Sequence, residues 1–114
     1  MRIWVDDVRP APAGYLWAKS VNGAKERIEM CEDLYEDTSL SENTRDYYKI
    51  EVIDLDHDAG DYAVYGGDFI KLLDWLEETG RNYPIRIHSM NPVGRENMRR
   101  IIKRNGWTEV DYGI

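Results

Sequence analysis

Three segments of this chain alternate residue by residue and end on a carboxylate or a histidine, and this constrains the fold more than any other feature. Arg2 to Asp6 puts Ile3 and Val5 on one side and Arg2 and Trp4 on the other. Ile50 to Asp56 puts Ile53 and Leu55 on one face and Val52, Asp54 and Asp56 on the opposite one. Pro84 to Ser89 repeats the pattern with Ile85 and Ile87. A period of two is that of a strand with two distinct faces. Each of these strands therefore delivers polar chemistry at its carboxyl end: Asp6-Asp7, Asp56-His57-Asp58 and His88-Ser89.

The intervening stretches read as helices and loops. Ser20 is an N-cap for a helix whose apolar positions Val21, Ala24, Ile28, Cys31 and Leu34 recur at spacings of three and four. That pattern makes Cys31 a core residue more simply than a reactive thiol. A second helix starts near Asp68, carries Phe69, Ile70, Leu72, Leu73 and Leu76, and stops at Gly80. A third has Asn91 as its N-cap, Pro92 at its first position and Val93, Met98, Ile101 and Ile102 before Gly106. Tyr15 to Lys19 and Thr108 to Tyr112 read as further strands. Residues 8–14, with two prolines and a glycine, are a loop in place of a full crossover helix. The polar, unpatterned segment 36–49 reads as an insertion or mobile loop.

Strands separated by helical stretches imply βαβ crossovers and a mainly parallel sheet. The expected architecture is α/β, with five parallel strands in the order 2-1-3-4-5 and the first and last helices reduced or absent. Ligands are expected outside the carboxyl ends of the strands. At 114 residues, 42% hydrophobic and 32% charged, one folded domain spanning 1–114 is expected. A net charge of −7 opposes broad attraction to nucleic acid or an anionic membrane, so an anionic ligand must be met locally. One cysteine excludes an internal disulfide, and the amino-terminal residues contain no signal-peptide stretch. No apolar run approaches a membrane span, and a cytoplasmic location is expected.

Asp6, Asp7 and Asp56 repel one another if they meet at one rim, so they either shift a pKa or are neutralised by a hard divalent cation, Mg²⁺ or Mn²⁺. The same carboxylates would also serve as ordinary loop and cap residues. His57 and His88 suit general acid or base chemistry, a softer metal, or hydrogen-bonded packing; His88 is favoured because Ser89 and a helix start follow it. Asn91, Pro92, Val93, Gly94 and Arg95 offer free N–H groups, a helix dipole and a guanidinium to a phosphate. The basic strip Arg99, Arg100, Lys103 and Arg104 continues that helix and reads most simply as a solvated face.

The residues WVDDVRP, LDHDAG, GGD and HSMNPVGREN resemble the cyclic-phosphate-processing receiver domains, a branch of the receiver-like (flavodoxin-like) fold, over most of the chain outside 36–49. On that resemblance Asp6 and Asp7 correspond to the metal-binding acidic pair, Asp56 to the phosphoacceptor aspartate and Ser89 to the switch hydroxyl. The chain departs from ordinary receivers in carrying Asp111 roughly where they carry a lysine, and in the added histidines. The resemblance implies a metal-dependent phosphate-ligand or phosphoesterase domain acting on cyclic phosphate ends of RNA or nucleotides. In that reading Asp56, His57 and His88 are catalytic, Ser89, Asn91, Gly94 and Arg95 bind phosphate, and Asp6, Asp7 and Asp56 hold the cation. The alternatives are a non-enzymatic regulatory or adaptor module and an atypical phosphoacceptor at Asp56. If the face bearing Trp4 lacks its helices, either segment 36–49 covers it or the protein forms a homodimer there.

Overall fold

The structure is a computed structural model and describes residues 1–111. The described residues form β1 (Arg2–Val5), β2 (Tyr15–Ala18), α1 (Val21–Glu36), α2 (Glu42–Tyr47), β3 (Val52–Leu55), a 3₁₀ turn (Gly60–Tyr65), α3 (Ile70–Glu78), β4 (Ile85–Ile87) and α4 (Pro92–Asn105). The strands are all parallel, in the order β2-β1-β3-β4.

Four strands are present among the described residues where five were expected. The segment after α4 does reach the free edge of β4, but it joins it at one point, Ile85 to Glu109. The Ile85 N–H donates to the Thr108 carbonyl at 2.9 Å and the Val110 N–H to the Ile85 carbonyl at 2.7 Å. β4 is itself only three residues long, and Pro84 just before it has no N–H to extend a ladder. Tyr112, the end of the expected fifth strand, lies outside the described residues.

The faces follow the alternation. Ile3, Val5, Ile53, Leu55, Ile85 and Ile87 are buried in one cluster with Val21, Ala24, Ile28 and Cys31 of α1, Leu72, Leu73 and Leu76 of α3, and Met98, Ile101 and Ile102 of α4. Burial pushes the Cys31 thiol up from its ordinary value, which suits a core side chain. The caps form as their chemistry requires: Ser20 accepts from the Gly23 N–H at 2.9 Å, and Asn91 Oδ1 from the Gly94 N–H at 3.1 Å. Gly106 closes α4 at φ 67°, a left-handed conformation that suits glycine. Asp68 does not cap α3; its carboxylate accepts from the Ala59 N–H at 3.1 Å and closes the loop after β3.

Segment 36–49 is more ordered than its sequence suggests. α1 runs on to Glu36, and Ser41 caps the short α2 by accepting from the Thr44 N–H at 3.2 Å. None of the α2 side chains is buried, so no apolar period marked it. α2 packs on α1, and the amino terminus donates to the carbonyls of Tyr47 and Lys49 at 3.0 and 2.6 Å.

This segment does not cover Trp4. The indole is nevertheless only 9% exposed, because His88 stacks on it, Tyr15 meets it edge-on and its Nε1–H donates to the Arg9 carbonyl at 2.8 Å. His88, Tyr15 and the Arg9 carbonyl thus supply the cover, and the bare indole expected on this face is not there. Among the described residues no helix is long and apolar enough to cross a membrane.

Candidate functional site

The central strands β1 and β3 end side by side, in register from Arg2 with Val52 to Val5 with Leu55. The residues following them therefore meet at one rim. Asp6, Asp7 and Asp56 each offer a carboxylate oxygen there, and these oxygens lie within 4.8 Å of one another.

Their commitments differ. Asp6 is 1% exposed; its Oδ1 accepts from the backbone N–H groups of Val8 and Arg9, each at 2.9 Å, and its Oδ2 faces His88 Nε2 at 2.8 Å. Burial pushes Asp6 up, but these hydrogen bonds outweigh it and hold the carboxyl below its usual value. Asp7 is displaced the other way. Burial raises it, its own backbone N–H opposes this, and the charges of Asp6, Asp56 and Asp58 raise it further. Asp56 Oδ1 accepts from the His57 N–H at 2.8 Å.

The donor set fits a hard divalent cation. It consists of carboxylate oxygens, Asp6 Oδ2 and Asp56 retain acceptor capacity, and the mutual repulsion of carboxylates brought this close is one that positive charge would relieve.

His88 links this rim to the helix-free face. Its Nδ1 faces Asp54 Oδ1 at 2.7 Å while its Nε2 faces Asp6, and Asp54 is paired in turn with Arg86 at 3.1 Å. Asp6 and Asp54 are each 1% exposed, and the His88 side chain 5%. Each ring nitrogen of His88 therefore has a buried carboxylate as its partner. A buried charged chain of this kind is tolerable because every member is partnered.

The sequence-expected residues therefore fall into groups. His88, Ser89 and Arg95 line a cleft of about 460 Å³ with Trp4, Arg9 and Arg99. The acidic trio adjoins that cleft through the Asp6–His88 contact and does not line it. Asn91 and Gly94 serve locally: the first caps α4, and the second lets the helix approach His57, whose ring a Cβ at that position would strike. Ser89 is buried and its Oγ accepts from the Asn91 N–H at 3.1 Å. His57 lies against Gly94 with Nδ1 2.8 Å from Asp58 Oδ1. Arg99 is paired with Glu109 at 3.0 Å, whereas Arg95 makes no ion pair among the described residues.

Sequence reasoning left Asp54, Arg86, Arg9 and Trp4 out of the site. The signal for the first two was present: Asp54 and Arg86 alternate onto the face without helices, where paired charges need a reason. Arg9 belongs to an irregular loop and had no periodic signal. A second cleft, about 650 Å³, opens at the amino ends of the strands around Glu32, Tyr48 and Tyr83. Of the acidic residues lining it, Glu32 is paired with Arg81 at 2.8 Å.

A parallel α/β sheet with an acidic cluster at the carboxyl ends of its central strands defines a receiver-like domain. Residues 1–104 match the Cyclic-phosphate processing Receiver domain, and the chain belongs to that family. No curated protein and no solved structure matches the chain.

Proposed function

We propose that this domain binds a divalent cation, Mg²⁺ or Mn²⁺, through Asp6, Asp7 and Asp56 and hydrolyses a cyclic phosphate ester at the end of an RNA or on a nucleotide. The observation that carries the reading is the convergence of these carboxylates within 4.8 Å at the rim, in a chain of this family. When bound, the cation would supply charge stabilisation to the phosphoryl oxygens.

The chain's own residues take the remaining roles. Arg95, free of an ion pair among the described residues, neutralises non-bridging oxygens from the cleft. His57 handles the proton, because Asp58 orients its Nδ1 and leaves Nε2 for water. Water oxygen bonds to phosphorus, one ring P–O bond breaks, and the departing ribose oxygen takes a proton. His88 is less suited to moving that proton, since either ring nitrogen would have to abandon a buried carboxylate. It holds Asp6 in place instead.

Titration calorimetry of Mg²⁺ into wild type, Asp56→Asn and Arg95→Ala tests the binding, and turnover of a 2′,3′-cyclic nucleotide with and without EDTA tests the chemistry. Asp56→Asn should weaken Mg²⁺ binding by about tenfold or more, while Arg95→Ala should weaken phosphate binding and leave the cation nearly unaffected. Equal Mg²⁺ affinities in wild type and Asp56→Asn would remove the cation site, and turnover that persists in EDTA would remove its role.

A further inference from the structure

The 3₁₀ turn carries an aromatic surface that the reading above leaves unused. Tyr65 is 55% and Val64 79% exposed, and the rings of Tyr62 and Tyr65 lie 6.1 Å apart at 46°. These tyrosines wall a groove of about 520 Å³ whose other lining includes Trp17, Lys19 and Arg27. That volume falls within the roughly 300–1,000 Å³ of small-molecule sites.

The groove is cationic in an acidic chain. The Lys19 ammonium sits 4.5 Å from the centre of the Trp17 ring, and neither Lys19 nor Arg27 makes an ion pair among the described residues. Arg27 Nη1 donates to the Gly23 carbonyl at 3.2 Å, but its Nε has no hydrogen-bond partner. With a net charge of −7, positive groups left without counter-ions beside exposed rings are placed against the grain of the molecule.

The groove also adjoins the acidic rim at two points. Trp17 Nε1–H donates to the Asp6 carbonyl at 2.7 Å, and a Cβ added at Gly60, where the turn begins, would strike Asp7 Oδ2. The turn bearing the tyrosines is braced by hydrogen bonds from Gly67 N–H to Ala63 at 2.7 Å and from Phe69 N–H to His57 at 2.9 Å. A ligand would thus meet rings already in position, with little ordering cost.

Flat rings for a π-face, cations beside them and the adjacent acidic rim match the base of a nucleotide. We propose that the Trp17–Tyr62–Tyr65 groove binds the nucleobase of a ligand whose phosphate lies at the carboxylate rim, an inference that rests on the phosphate reading above. Stacking tolerates any base, so the groove selects for the presence of a base and not for its identity.

The test compares inorganic phosphate, adenosine, 3′-AMP and a five-nucleotide oligoadenylate ending in a 3′-phosphate, each titrated calorimetrically into the protein with Mg²⁺. Wild type should bind 3′-AMP at least about tenfold more tightly than phosphate. The double variant Tyr62→Ala/Tyr65→Ala should lose that preference with Mg²⁺ affinity unchanged, which also shows that it is folded, and Tyr65→Phe should keep it. Equal binding of 3′-AMP and phosphate by wild type, or a preference that survives in the double variant, overturns the inference. If phosphate does not bind but adenosine does, and the double variant abolishes this, the base groove stands and the cation-phosphate reading falls. Tighter binding of the oligomer than of 3′-AMP would make an RNA end the source of the base, and equal binding a mononucleotide.

Discussion

The rings of Trp4 and His88 lie face to face, centroids 3.9 Å apart and planes 2° from parallel. The stack places the indole face over an imidazole that holds Asp54 at one nitrogen and Asp6 at the other. The indole thus packs on one face of a ring whose two nitrogens are both engaged by buried carboxylates.

Removing His88 should therefore be costly, because it strands two buried carboxylates. His88→Ala is expected to lose about 3–5 kcal/mol in urea denaturation, the usual range for breaking a buried ion pair on one side. Trp4→Phe, which keeps an aromatic face, should lose about 1 kcal/mol. A loss below about 1 kcal/mol in His88→Ala would show that the carboxylates are solvated or protonated without it.

Gly60 has φ 55°, and a Cβ added there would strike Asp7 Oδ2. Gly60→Ala should displace that carboxylate, weakening Mg²⁺ by about tenfold and costing roughly 1–2 kcal/mol of stability for the left-handed backbone. Calorimetric titration and thermal melting read the two effects separately. Undiminished Mg²⁺ affinity would remove Asp7 from the ligand set.

Gly94→Ala probes His57 in a similar way, since the new methyl would strike the imidazole. Overpacking there should cost about 1–3 kcal/mol and turn His57 away from its present position against α4. If His57 handles the proton, cyclic nucleotide turnover should fall by more than tenfold while Mg²⁺ binding persists. Unchanged turnover would count against His57.

The acid sensitivity of the fold should include a contribution from Glu32, far from the rim. Burial raises this carboxyl, but hydrogen bonds from Arg81 and Tyr83 outweigh that and hold it below its ordinary 4.5. A depressed folded value means the contribution is present above about pH 4.5 and is lost as pH falls through the folded value. Glu32→Gln should lower stability at pH 7 by about 1 kcal/mol and flatten the decline of Tm below pH 4.5. Parallel acid limbs for the two proteins would show that Glu32 does not contribute.

The parts of the fold written in periodicity were legible from sequence. Ile3, Val5, Ile53 and Leu55 alternate with Arg2, Trp4, Val52 and Asp54 because the first set packs under the helices and the second lies on the opposite face, and Ser20 and Asn91 cap helices by local chemistry alone. The acidic trio was legible too, since parallel topology brings the ends of β1 and β3 together. What escaped depends on tertiary context. Among the described residues the expected fifth strand is a single bridge to Ile85, and α2 has no buried side chain to leave a pattern. The role of His88 turns on Asp54, 34 positions away, and no local spacing reports that pairing.

The single bridge between Ile85 and Glu109 also bears on self-association. An outermost strand offers its open amide and carbonyl row as a template for another chain, and sheets avoid aggregation by blunting such edges. Thr108 and Val110 occupy both main-chain groups of Ile85 on the outer side of β4, and Arg99 pairs with Glu109 beside them. Three residues, too few to extend the sheet, thus act as a stopper. An incoming strand would have to displace them before it could propagate the ladder outward from β4.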